Sequence, residues 1–240
     1  MPTVVDYALV AAFAVLVTLY EVFVYWPRFR AAVATGVRGA RVRGYRRIIA
    51  GEWLFAIACL AIWLGAGRPL ADLRLTAPSG WRLAAGIGII VVFGLLITQQ
   101  LRAMARMDDT QRAALRPKLG ELSYLLPHSP DEARWFTVLS VTAGICEELL
   151  YRGYLVWVLQ PWLGAAGAMA ASIVLFGLGH GYQGKKHFLK ATLAGAVMGA
   201  IVVVTGWLVP AMIVHALIDV GSGAAGYAVM REVTPPKAAA

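Results

Sequence analysis

The stretch AGICEELLYRGYLVWVL, residues 143–159, places two adjacent carboxylates and an arginine, Glu147, Glu148 and Arg152, inside an apolar run long enough to cross a bilayer. A charged side chain at the centre of a membrane helix costs about 2.5–3.5 kcal/mol even on the mildest insertion scale, so a cluster of them marks a functional site by default. Two later apolar runs add His180, His215 and Asp219. A polar constellation within an oily chain points to chemistry inside the membrane.

The rest of the chain supports a membrane setting. Of 240 residues, 60% are hydrophobic and 15% charged, against about half and a quarter in soluble domains. With about 20 residues needed per helical span, seven stretches qualify: 7–26, 48–66, 83–101, 135–159, 164–182, 188–207 and 211–230. The expected fold is all-α, a polytopic transmembrane bundle forming one membrane domain. Within it, 1–126 supplies N-terminal helices and loops, 127–230 a four-helix core with the site, and 231–240 a short tail.

The net charge of +9 does not require nucleic acid, because the basic residues sort by side. Eighteen fall in the two loops at 28–47 and 102–134, the loop at 185–190 and the tail, against Arg68, Arg74 and Arg82 opposite; Arg152 alone lies within a span. The positive-inside rule then predicts an outside N-terminus and a cytoplasmic C-terminus, in a bacterial-type plasma membrane. The N-terminus has no basic n-region and no cleavage pattern, so the first span is expected to be retained. Cys59 and Cys146 lie in spans and form no CxxC pair; both read as small packing residues.

Local signals place the site on its helix. Ser129, Pro130 and Glu132 read as an N-cap, a first-turn proline and a capping-box acid that start the helix carrying Glu147. The preceding loop, 102–134, mixes charges with Leu119, Leu122, Leu125 and Leu126 and is expected to lie along the membrane surface as a partly helical flap. Glu21 and Glu52 are the only acids in the first three spans. Glu21 lies near the interface and Glu52 near Arg46 and Arg47, so headgroup or ion-pair roles are expected for both. His128 and His187 fall in loops and are set aside. The glycine pairs Gly177/Gly181 and Gly195/Gly199 have the spacing of close helix contacts.

Within the constellation, Glu148 and Arg152 are four apart and share a helix face, so they are expected to pair, leaving Glu147 as the freer carboxylate and general base. His215 and Asp219 share a face in the same way, as do Phe176 and His180. The histidines could bind a divalent metal with carboxylate help, or polarise a carbonyl while Glu147 activates water, with Asp219 orienting His215 or accepting from outside the first ring of contacts. Phe176 is expected on the site wall. Equal spans would put His180 and His215 toward opposite faces of the bilayer, so one helix must be broken or tilted. Pro210 and the glycines at 177, 179, 181 and 184 are the expected places.

Three motifs in this order, EELLYR (147–152), FGLGH (176–180) and HALID (215–219), resemble the CPBP intramembrane proteases. That family includes the Ras-converting type of prenyl-protein (CAAX) endopeptidase and bacteriocin-immunity proteins. The resemblance spans roughly 127–229 and implies proteolysis of a membrane-associated peptide or protein, lipidated or not, in contact with membrane lipid. It assigns Glu147 as water-activating base and His180 and His215 as metal ligands or oxyanion stabilisers, with Glu148, Arg152 and Asp219 completing the site. The metal would be Zn2+ or another divalent ion held by His180, His215 and Glu147; a metal-independent glutamate mechanism is the alternative. Asp219 stands where the family often has asparagine, and relatives are described with eight spans rather than seven. Rival readings are a non-catalytic immunity or scaffold protein and a proton-coupled transporter, though no paired broken helices in corresponding halves support the last.

Overall fold

The computed structural model describes residues 1–231, the side chains of residues 183, 185 and 186 aside. The tail expected over 231–240 therefore lies, beyond its first residue, outside the described residues. Those described form helices α1 (Val4–Ala34), α2 (Ala40–Gly65), α3 (Trp81–Ala105), α4 (Asp109–Leu119), α5 (Leu122–Leu125), α6 (130–163), α7 (165–179), α8 (Lys185–Thr205) and α9 (Leu208–Met230), with no strand among them.

The polytopic all-α bundle is as expected, and the span count is sharpened. Six helices are long and apolar enough to cross a membrane, one fewer than the seven stretches, because the fourth runs 50 residues from Pro130 to Gly179. Gly164 breaks that run with φ 66° and ψ 173°, a conformation open to glycine and strained for other residues. It separates α6 from α7, and all seven apolar stretches thus lie in helix.

The start of α6 is set by its caps. The Ser129 hydroxyl accepts from the Glu132 N–H at 3.3 Å and Pro130 occupies the first turn. Glu132 departs from the expected box: its carboxylate accepts from the His128 N–H at 2.7 Å, one residue before the cap. Burial and the Arg41 charge push the His128 imidazole below its usual range. The segment 102–134 is partly helical as expected, forming α4 and α5. It is tied to the bundle, since Arg41 Nε donates to the Tyr124 carbonyl at 3.0 Å and Arg116 Nε to that of Val229 at 2.8 Å, near the end of α9.

The opposite end of the bundle is held by a buried ion pair. Asp6, fully buried in α1, accepts two bonds from Arg68, at 2.7 and 2.8 Å, and one from the Tyr154 hydroxyl at 2.6 Å. Arg68 also lies over the Trp157 ring at 4.6 Å. This cluster fastens α1 to the loop after α2 and to α6.

Helix α6 is the centre of the bundle, packed between α2 and α9. A β-carbon on Gly144 would come within 2.7 Å of the Met212 carbonyl oxygen and the Ala216 nitrogen, both main chain of α9. That glycine lets α6 and α9 touch along their backbones. Gly195 and Gly199 of α8 instead make room for side chains of α6 and α7, those of Arg152, Phe176 and Met169, whereas Gly181 meets nothing within 4 Å.

Candidate active site

Three helices bring the sequence motifs together. Just after Glu148 the chain shifts to π-helical turns over Leu149–Leu155, which carry Arg152. Such turns cluster at functional sites because they redirect side chains without ending the helix. The expected pair forms: Arg152 Nη1 donates to Glu148 Oε1 at 3.1 Å, with both side chains fully buried. The same Glu148 oxygen lies 2.9 Å from His215 Nδ1 on α9. Glu148 therefore does more than compensate Arg152. It fixes the His215 ring, a task the sequence assigned to Asp219.

The other face of that ring meets two more carboxylates. His215 Nε2 is 3.7 Å from Glu147 Oε2 and 3.6 Å from Asp219 Oδ2. With Nδ1 donating to Glu148, Nε2 is the nitrogen presented to Glu147 and Asp219. Glu147 Oε2 is buried with no hydrogen-bond partner among the described residues, the His215 nitrogen at 3.7 Å standing at ion-pair rather than hydrogen-bond distance.

Phe176 forms the wall expected of it. Its ring lies 4.6 Å from the His180 ring, 5.8 Å from His215 and 5.4 Å from Tyr151, with the Arg152 guanidinium 4.2 Å above it. Stacking on Phe176 holds Arg152 where Nε and Nη2 have no hydrogen-bond partner. His180 Nδ1 donates to the Phe176 carbonyl one turn earlier, at 2.9 Å, so Nε2 is its remaining ring nitrogen. The depth conflict between the histidines is relieved at Gly164 and at the end of α7, where a short 3-10 turn over Gly181–Gln183 and Gly184 at φ 97° follow His180. Pro210 sits in the first turn of a continuous α9 and breaks nothing.

Two cavities reach this region. One, of ≈ 470 Å³, runs between α1 and α2, with Phe13, Leu16, Phe55 and Leu150 on its apolar wall. The other, of ≈ 420 Å³, is lined by His215, Asp219 and Phe176 and by Leu122, Leu125 and Leu126 of the flap. Ile48, Glu52, His180 and Tyr182 line both.

Glu52 is the residue the sequence reading missed. It was expected to pair with Arg46 or Arg47, but Arg47 donates to Glu21 at 2.8 Å and lies over the Tyr25 ring at 3.7 Å. Glu52 Oε2 is buried without a hydrogen-bond partner among the described residues, and Glu52 lines the same cavity as His215 and Asp219. The site thus extends beyond 127–230. The signal was in the spacing: residues five apart on a helix are some 140° apart around its axis and cannot share a face.

The donor set does not assemble into a metal centre. Among the described residues no group of three or more His, Cys, Asp or Glu side chains is placed to hold a metal ion. His215 Nε2 lies 3.7 Å from Glu147 Oε2, and His180 lines the same cavity as His215.

Residues 129–221, less than half of the chain, match the family model described as type II CAAX prenyl endopeptidase Rce1-like, so this segment is similar to that family. No curated protein and no solved structure matches the chain. The matched segment contains Glu147, Glu148, Arg152, His180, His215 and Asp219; Glu52 lies outside it.

Proposed function

We propose that this protein is an intramembrane endopeptidase in which Glu147 activates water for attack on a peptide bond of a membrane-associated substrate. The observation that carries this reading is the juxtaposition of an unpartnered buried Glu147 carboxylate with a histidine held from behind by the Glu148–Arg152 pair. A base needs a free lone pair and a fixed neighbour.

The reaction follows from those positions. Glu147 Oε2 takes a proton from water while the water oxygen bonds to the carbonyl carbon, and the carbonyl electron pair moves onto its oxygen. His215 Nε2–H stabilises that oxyanion, its positive charge supported by Glu148 at Nδ1 and by Asp219. Low polarity around the site strengthens each of these interactions. His180, with Nδ1–H committed to Phe176, offers Nε2 to the water's second hydrogen. On collapse the C–N bond breaks and its electron pair goes to nitrogen, which receives the proton from Glu147. One water is consumed and the carboxylate is restored.

The test compares protein termini in membranes of cells carrying wild type and Glu147→Ala. Peptide termini found only with the wild type support the reading. A cellular role fully supported by Glu147→Ala would remove peptidase activity from that role.

A further inference from the structure

We infer that Glu52 is a substrate-selecting residue that binds a cationic group, a lysine or arginine side chain or an ammonium, carried by the substrate beside the bond to be cut. This inference deepens the peptidase reading by naming the substrate class, and it rests on that reading for its cleavage arm.

The argument starts from charge pairing. A charge withdrawn from water is stabilised only by a partner of opposite sign and by hydrogen bonds. The buried acids of the bundle follow this rule: Asp6 is met by Arg68 and Tyr154, Glu148 by Arg152 and His215, and Glu21 by Arg47. Glu147 is open but is occupied by the hydrolytic water in the proposed reaction. Glu52 remains, with Oε2 buried and unpartnered among the described residues.

Its position gives the unmatched charge a meaning. Glu52 lines both cavities, where the apolar one between α1 and α2 meets the one containing His215 and Asp219. In the apolar cavity the other acid, Glu21, already holds Arg47, so Glu52 is the acid there left for a ligand. The second cavity carries the Lys190 ammonium on its wall along with Asp219, so its own acid already faces a cation of the protein. The shared wall is thus where a basic group is accepted, with an apolar chain lying toward Phe13 and Phe55. A substrate cation there supplies the partner that the protein does not.

The experiment uses purified full-length protein in phosphatidylcholine proteoliposomes and three palmitoylated, internally quenched peptides that differ only in bearing lysine, norleucine or glutamate beside the scissile bond. Wild type is expected to cut the lysine peptide with kcat/KM on the order of tenfold above norleucine, as befits one buried ion pair. That ratio falls to about one in Glu52→Gln and turns in favour of the glutamate peptide in Glu52→Lys. A general loss of folding lowers all three rates and leaves the ratios alone, so an unchanged ratio in both variants overturns the inference. Binding of the same peptides, followed by fluorescence anisotropy, separates the two readings: lysine-selective binding that depends on Glu52, without cleavage, retains this inference and removes the peptidase.

Discussion

One oxygen, Oε1 of Glu148, is bonded both to Arg152, at 3.1 Å on its own helix, and to His215, at 2.9 Å on α9. This carboxylate joins the charge balance of the buried helix to the geometry of the His215 ring. All three groups are nearly or fully out of contact with solvent, so none of them is replaced by water when another is lost.

Removing one partner of a buried ion pair costs on the order of 3–5 kcal/mol, because the remaining charge is stranded. Glu148→Ala is therefore expected to unfold at a markedly lower temperature in detergent and to be inactive. The double variant Glu148→Leu/Arg152→Met removes both charges and regains most of that stability without activity. Thermal unfolding followed by intrinsic fluorescence checks this, and a double variant less stable than Glu148→Ala would contradict it.

Glu147→Gln separates chemistry from folding. The carboxylate makes no hydrogen bond through Oε2, so the amide is expected to fold with an unfolding temperature equal to or above that of wild type. Loss of the base should lower kcat by about 10²–10⁴. Parallel unfolding and peptide-cleavage assays report both, and a drop in stability matching the drop in rate would count against a catalytic role.

Gly144→Ala tests the backbone contact that aligns His215 with Glu148. The added carbon meets main-chain atoms of Met212 and Ala216 at 2.7 Å, which cannot rotate away. Overpacking of this kind costs about 1–3 kcal/mol and should displace α9. Gly153→Ala, whose nearest neighbour is a leucine methyl at 3.4 Å, serves as the comparison. Equal behaviour of the two variants in stability and kcat would refute the contact's importance.

Asp6→Asn breaks the charge balance with Arg68 at the other end of the bundle, far along α1 from the paired Glu21 and Arg47. The expected result is a loosened N-terminal helix, read as faster hydrogen exchange over residues 4–20 with little change over α8. Protection of α1 equal to wild type would show that the apolar face holds it alone.

Chelation addresses the metal directly. Since the described His, Cys, Asp and Glu side chains form no ligand cluster, prolonged treatment with a strong chelator is expected to leave cleavage intact. Activity lost on chelation and regained with Zn2+ would place a metal in the reaction.

Much of this was legible in the chain itself. Hydropathy marks every long helix, because a bilayer demands some twenty apolar residues of each span. The Glu148–Arg152 pair is legible because residues four apart share a face. The bond from Glu148 to His215 was not, since it joins residues 67 apart and depends on how α6 meets α9 at Gly144. The break at Gly164 hid within an unbroken apolar run, where composition carries no sign of φ. Glu52 was misjudged because nearness in sequence to Arg46 and Arg47 was taken for nearness in space, while Arg47 turns to Glu21.

The separation of Glu148 from His215 also bears on how the protein is made. A ribosome completes Glu148 and Arg152 as one neutralised pair, and must add 67 residues beyond Glu148 before the histidine exists. Until that later helix is inserted, Glu147 lacks the His215 imidazole that lies 3.7 Å from it in the finished fold. The nascent chain therefore enters the membrane with this cluster incomplete, and the contacts of His215 with Glu147 and Glu148 arrive only with the closing of α9 against α6.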